Sequence, residues 1–358
     1  MSRPEQLASP FSGHHLGEAL QRWLFSGRPQ SERGAYCAWR DRARDELVFE
    51  YPEINGYALT YTAGLAVPRP DEIATARRAA SWLTERLGRG DYSAREGWDA
   101  DAIYTFDVAM IANGLMSFGR RFGDERHLEA GLAATEFLVA ETDAAGRLPA
   151  VARGPQATHK GWATEGRAHL LKAVQCLLLA DELAATGTTA QARLLIEEAR
   201  GLQQPDGRFL TDPRDNITML HPHHYALEGL WIWSEATGER WAADRARRGV
   251  EWAFAQQLQT GGFPRFVASH GGEPGVEQAD ATAQAVRMAF LLGVEPRGLD
   301  RAVERIAELT VGDERVRACV YQPLPEPPHE NVWATLFAAQ AFELAAAEAP
   351  ALDWWGLV

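Results

Sequence analysis

The chain has 358 residues, of which 46% are hydrophobic and 24% charged. That is enough apolar content for one large core, and it is not the composition of a disordered chain. The formal net charge of −13 speaks against nucleic acid as a main partner, because neutralising phosphates takes clustered Lys and Arg. No apolar run approaches the roughly 18 residues of a membrane span, and the start Met1-Ser-Arg-Pro-Glu-Gln lacks the apolar stretch of a signal peptide. Cys37, Cys176 and Cys319 lie far apart, without metal or disulfide spacing. A soluble cytoplasmic protein is expected, with no membrane partner and no cofactor.

Residues 1–35 are punctuated by Gly, Pro and Ser and read as an N-terminal extension with one short helical stretch, Leu20-Gln-Arg-Trp-Leu-Phe25. Residues 36–358 read as a single domain with a repeated grammar. Charge-flecked helices alternate with apolar ones across Gly- or Pro-rich connections. The charge-flecked segments are Ile73–Leu87, His127–Leu138, Ala190–Arg200, Trp241–Phe254 and Leu299–Leu309. Their apolar residues recur at i, i+3, i+4 and i+7 beside charged faces, the pattern of helices packed on one side. The apolar segments are Tyr104–Phe118, Gly161–Leu179, His224–Trp233, Gln278–Leu292 and Val332–Leu344. A helix apolar nearly all round is buried on most sides.

Glu53, Tyr104, His159, His221, Glu277 and Glu330, taken as the starts of the apolar helices, are separated by 51, 55, 62, 56 and 53 positions. A near-constant period with a helical hairpin per step marks a repeat architecture. Buried inner helices and exposed outer ones close most compactly as a ring. The connections Gln203-Gln-Pro-Asp-Gly207-Arg-Phe209 and Gln257-Leu-Gln-Thr-Gly261-Gly-Phe263 are related, and Glu141-Thr-Asp-Ala-Ala-Gly146-Arg-Leu148 is a looser copy. In each, Gly suits the left-handed position that ends an outer helix. Trp354-Trp355 is expected to seal the ring.

Six hairpins with such turns, over roughly residues 40–345, resemble the all-α (α/α)6 toroid superfamily of six-hairpin glycosidases, polysaccharide lyases and sugar epimerases. Tyr51-Pro-Glu53-Ile-Asn55-Gly56-Tyr57 is similar to the P-E-I-T-G-Y stretch of toroids associated with bacterial polysaccharide gene clusters, with Asn55 in place of Thr. The resemblance implies a central cavity whose site lies at the mouth where inner helices begin. Polar residues gather at those starts.

Two chemistries fit them. Glycosidic hydrolysis takes two carboxyl groups, one protonated and one ionised. Glu53, Asp107, Glu277 and Asp280 each flank or begin an apolar helix. The competing reading, a helix cap or first-turn acid, is favoured for Asp99, Asp101 and Glu330. Asp107, inside Tyr104-Thr-Phe-Asp-Val-Ala-Met, needs a partner or a cavity to face. Elimination or epimerisation instead takes a base of near-neutral pKa with a second acid. Thr218-Met-Leu-His221-Pro-His223-His224-Tyr225-Ala-Leu-Glu228 supplies these types, with His159 as a further partner. His224 and Glu228, four apart, share a helix face.

The expected catalytic set is therefore Asp107, His224, Tyr225, Glu53, His221 and Asp280. Tyr57, Trp98, His159, Trp162, His223, Glu228, Glu277 and Trp333 are expected to bind substrate, the tryptophans by stacking on sugar faces. No metal is expected, because His221-Pro-His223-His224 lacks metalloprotease spacing and has no thiolate beside it. His14, His15, His127, His169 and His270 read as structural. The favoured function is cleavage of a glycosidic bond, by hydrolysis or elimination, in a small-molecule or oligosaccharide substrate. Sugar epimerisation, a terpenoid-cyclase-like toroid and a non-catalytic binding toroid are the alternatives.

Overall fold

A computed structural model describes residues 13–93, 101–155, 157, 160–212, 216–268, 275–323 and 329–358. The helices are α1 (Gly13–Phe25), α2 (Pro52–Gly64), α3 (Pro70–Gly88), α4 (Thr105–Phe122), α5 (Glu125–Glu141), α6 (Trp162–Glu165), α7 (Val174–Ala184), α8 (Thr189–Glu197), α9 (Ala199–Leu202), α10 (Leu220–Thr237), α11 (Arg240–Phe254), α12 (Ala279–Leu291), α13 (Leu299–Glu308) and α14 (Val332–Ala346). A 3-10 turn, Ala168–Ala173, runs into α7. The strands are short: β1 (Cys37–Asp41), β2 (Glu46–Glu50), β3 (Ile217–Met219), β4 (Phe263–Pro264), β5 (Phe266–Ala268), β6 (Glu277–Gln278), β7 (Thr310–Gly312), β8 (Arg317–Val320) and β9 (His329–Asn331).

Among the described residues α2, α4, α7 with its 3-10 turn, α10, α12 and α14 each contact the next, and α14 contacts α2, so the inner ring closes. These helices are buried nearly throughout, as their all-round apolar sequences require. Outside them lie α3, α5, α8 with α9, α11 and α13, each antiparallel to the inner helix before it and buried only on its inward face. The sequence pattern set residues 1–35 apart as an extension. Instead, α1 packs along α14 and supplies the outer partner that α14 would otherwise lack. Its Leu16, Leu20, Trp23 and Leu24 are buried, so burial of that apolar stripe joins the helix to the ring.

Inner helices approach one another closely. A Cβ on Gly56 would lie 2.5 Å from the Met110 carbonyl oxygen, and one on Gly114 would lie 2.2 Å from the Gly56 carbonyl oxygen. Glycine at both positions lets α2 and α4 pack backbone to backbone. The neighbouring Asn55 anchors the start of α2: its Oδ1 accepts from Tyr36 N at 2.7 Å and its Nδ2 donates to Tyr51 O at 2.8 Å. A threonine at this position would have one hydroxyl oxygen where the two bonds are made by two separate amide atoms.

The related Gly turns have one mechanical role. Gln203 Nε2 donates to Gly207 O and to Arg245 O of α11, both at 2.9 Å. Gln257 Nε2 does the same to Gly261 O at 2.7 Å and Gly298 O at 2.9 Å. Each amide thus ties the turn that ends one outer helix to the next outer helix. Gly207 and Gly261 have φ of +100° and +94°, and a Cβ at either would meet backbone of the adjoining helix.

The connections from outer to inner helices are long and carry the strands. The sheet of order β2-β1-β9-β8-β7 borders the starts of α2 and α14, and the pairs β3-β5 and β4-β6 border those of α10 and α12. The opposite end has short turns and is closed by the last residues. Asn113 Nδ2 donates to Trp355 O, and Gln175 Nε2 donates to both Trp354 O and Leu357 O. The ring therefore has a long-loop mouth and a plugged floor.

Candidate active site

At the ring centre Glu228 of α10 is fully buried between two cations. Lys172 Nζ lies 2.6 Å from its Oε2, and Arg287 Nη2 lies 2.7 Å from its Oε1. Gln284 Nε2 donates to the same Oε1 at 3.1 Å. Lys172 also sits 5.0 and 5.1 Å from the ring centres of Tyr57 and Tyr225, within the range of a cation–π contact. Burial draws the Lys172 ammonium down to about 8 against the opposing pull of Glu228. Glu53 adds negative potential at Lys172, Tyr57 and Tyr225. The two tyrosine hydroxyls are pushed well above their ordinary value, first by burial, then for Tyr57 by the neighbouring Tyr225 and for both by Glu53 and Glu228.

One to two turns nearer the mouth the groups become chemically adaptable. His221 Nδ1 lies 2.8 Å from Gln284 Oε1 and 3.3 Å from Asp280 Oδ2. The His221 side chain keeps 17% exposure, whereas the Asp280 side chain keeps 4%. Burial raises the Asp280 carboxyl to about 7, opposed by backbone N–H bonds and by Arg265. The His221 ring is 4.4 Å from that of Tyr225 and 6.1 Å from that of Trp162. Across the ring, Tyr51 donates to Asp107 Oδ2 at 3.1 Å. Trp333 stands edge-on to Tyr51 at 5.0 Å, and Phe106 links this side to Tyr225 at 4.6 Å.

No family model matches this sequence, and no curated protein does. Solved structures do. The unsaturated glucuronyl hydrolase of Bacillus sp. GL1, described as responsible for glycosaminoglycan degradation, superposes with TM-score 0.74 at 13% identity, over 96% of this chain and 99% of that one. The cellobiose 2-epimerase of Bacillus thermoamylovorans B4167 gives 0.73 at 10% identity, over 92% and 99%. The GH76A α-1,6-mannanase of Salegentibacter sp. HEL1_6 gives 0.66 at 12%, over 94% and 99%. The chain is an (α/α)6 toroid.

Within this toroid, His221, Tyr225, Asp280, Glu53, Tyr57, Glu228 and Trp162 gather around the central axis, and Asp107 and Trp333 join them through Tyr51. Four expectations are corrected. His223 points outward, where its Nδ1 accepts from Phe209 N at 3.2 Å, its Nε2 faces Gly249 O at 3.2 Å and its ring packs on Trp252. Burial lowers its pKa to about 4, so it is a neutral packing group and not a substrate ligand. Glu277 is held by Arg305 at 2.6 Å and Thr260 at 2.9 Å, locking β6 to α13 instead of facing substrate. His224 is fully buried, with Phe263 as an edge-on neighbour at 6.4 Å, and burial drives its pKa well below the ordinary value. It lies behind the mouth, unsuited to exchanging protons there. Glu228 faces the centre as expected, but its oxygens are taken by Lys172, Arg287 and Gln284, so it organises the site without binding substrate.

Trp98, His159 and Asp99 lie outside the described residues, and Asp101 is exposed. Glu330 is enclosed by Arg40, Arg28 and Arg42 and accepts from Trp23, a structural role. Sequence reasoning passed over Lys172, Gln284, Arg287 and Tyr51 as site residues, and it read His169 as structural. The last packs edge-on to Trp162 at 5.2 Å and near Phe106. The signal for Lys172 and Arg287 was present: each is a charge flanked by apolar residues within an inner segment (His169-Leu-Leu-Lys172-Ala-Val and Ala285-Val-Arg287-Met-Ala), the same anomaly that singled out Asp107. Among the described residues no group of three His, Cys, Asp or Glu could hold a metal ion, and no helix is long and apolar enough to cross a membrane.

Proposed function

We propose that this toroid is a carbohydrate-active enzyme that cleaves a glycosidic bond in an oligosaccharide by side-chain acid–base chemistry at the long-loop mouth. The observation that carries the reading is Asp280: a buried carboxyl raised to about 7, at the start of an inner helix and within 3.3 Å of His221. A carboxyl of that pKa is partly protonated at neutral pH, the state a general acid needs to protonate a leaving oxygen. Asp107, oriented by the Tyr51 hydroxyl, is the second carboxyl of the pair, and Glu53 with Tyr57 and Tyr225 lines the floor between. Trp162 and Trp333 offer apolar faces of the kind that stack on sugar rings. Hydrolases acting on glucuronyl and mannosyl oligosaccharides share the fold, which supports the substrate class by analogy. The buried thiols of Cys37, Cys176 and Cys319 support a reducing, cytoplasmic setting.

Epimerisation is the second reading, favoured by His221. An imidazole paired with Asp280 and set edge-on to Tyr225 is a base suited to removing a proton next to a sugar carbonyl, and a cellobiose 2-epimerase shares the fold. One experiment separates the two. The protein is incubated with unsaturated glucuronyl oligosaccharides, α-1,6-mannotriose and cellobiose in deuterated water, with mass spectrometry and NMR of the products. Glycosidic cleavage produces shorter saccharides, whereas epimerisation leaves chain length intact and incorporates deuterium at carbon. Turnover that survives both Asp280→Asn and Asp107→Asn would refute the assignment of the site, and no turnover of any of these sugars would favour a binding toroid.

A further inference from the structure

Gln284 belongs to no catalytic type, yet it bridges the buried ion set and the mouth. Its Nε2 lies 3.1 Å from Glu228 Oε1 and its Oε1 lies 2.8 Å from His221 Nδ1. Glu228 is ionised between Lys172 and Arg287, so it only accepts hydrogen bonds. Turning the Gln284 amide over would set its carbonyl oxygen against that carboxylate, acceptor to acceptor. The amide is therefore fixed with its N–H toward Glu228 and its oxygen toward His221. An amide oxygen also only accepts, so the ring nitrogen facing it must carry a hydrogen.

We propose that Glu228 and Gln284 form a relay that sets the tautomer of His221, holding the hydrogen on Nδ1 and leaving Nε2 as the basic nitrogen of the neutral ring. Glu228 and Gln284 are thus positioning residues, and the two cations act one step further back by keeping Glu228 charged and still. The arrangement extends over three inner helices: Lys172 precedes α7, Glu228 and His221 lie on α10, and Gln284 and Arg287 lie on α12. Asp280 Oδ2 lies 3.3 Å from the same Nδ1. Its carboxylate stabilises the imidazolium that forms when Nε2 takes up a proton. A histidine in the wrong tautomer presents a donor where the reaction needs a base.

The inference rests on the proposed function only in calling His221 an acid–base group, and its test needs no substrate. Protein labelled with 15N-histidine is measured by long-range 1H–15N correlation above the titration range of the imidazole, with His221 assigned from the signal lost in His221→Gln. The wild type is expected to show a single neutral tautomer with Nδ1 protonated and Nε2 unprotonated. In Glu228→Gln the side chain at 228 gains a donor, the Gln284 amide is free to turn, and a mixture with at least a third Nε2–H form is expected. Gln284→Leu keeps the Lys172–Glu228–Arg287 set intact and guards against failure of the first variant to fold. It should likewise lose the single tautomer, by weakening the hold on Nδ1 to Asp280 alone. A wild-type ring protonated on Nε2, or an unchanged Nδ1–H signal in the folded variants, would overturn the relay. If the relay holds while no sugar is turned over, the failure belongs to the function and not to the tautomer.

Discussion

Replacing Asp280 with Asn should remove a specific part of the pH dependence of folding. The folded-state carboxyl titrates at about 7 against an ordinary value of 3.8, mainly because burial penalises its charge. The folded protein therefore binds this proton more tightly than the unfolded chain does. The stabilisation it brings is fully present below about 3.8 and is lost as pH rises through about 7. The interval spans about three pH units, each worth about 1.4 kcal/mol, so wild type should lose about 4 kcal/mol from this group between pH 4 and pH 8. Asn is nearly the same size, cannot ionise, and keeps an oxygen for the bond that Ala281 N now donates to Asp280 Oδ1 at 2.8 Å. Denaturant unfolding of both proteins at half-unit intervals from pH 4 to 8.5 isolates the term by subtraction. Asp280→Asn should gain on wild type steadily from about pH 4 and level off above pH 7, with the difference totalling about 4 kcal/mol. A flat difference across that range would mean that water or a charged partner solvates the carboxylate, and the argument for Asp280 as a neutral-pH acid would fall with it.

Two further outcomes test the architecture. Glu228→Ala leaves Lys172 and Arg287 buried without their carboxylate and should cost about 3–5 kcal/mol, read as a lower denaturation midpoint. A cost under 1 kcal/mol would show that the centre is wetter than its packing indicates. Gly56→Ala forces a methyl group toward the Met110 carbonyl, 2.5 Å from the ideal Cβ position, and should cost about 1–3 kcal/mol through strain between α2 and α4. Neutral behaviour in thermal unfolding would contradict the close approach of those helices.

Much of the architecture was legible because helix burial is written locally. The alternation of one-sided and all-round apolar segments identifies outer and inner helices, and Ile73–Leu87 and Trp241–Phe254 fall inside α3 and α11. The repeat spacing also shows in the contacts. Tyr51 meets Asp107, Lys172 meets Glu228 and Glu228 meets Gln284 across 56 positions each, and Arg287 meets Gln340 across 53. One period along the chain is one step around the ring, so polar residues a period apart on inner helices share a level and meet. Two things escaped the local pattern. The Gly161–Leu179 segment reads as one helix but breaks near Gly166, where a Cβ would lie 2.3 Å from the Thr211 carbonyl oxygen, a crowding set by a distant loop. Helix α1 reads as an extension because its partner, α14, lies more than 300 residues away.

By itself the sequence determined that this chain is a ring of helical hairpins with its polar groups at the inner-helix starts, because hydrophobic periodicity and repeat length are properties of consecutive residues. Only the tertiary structure decided which of those groups face one another. His221, His223 and His224 stand within four positions, yet one meets Asp280 and Gln284 at the mouth, one packs outward on Trp252 and one is sealed beside Phe263. Each residue along a helix turns the side chain by about 100°, so neighbours in sequence point to different compartments. What fills each compartment comes from helices a full repeat or more away.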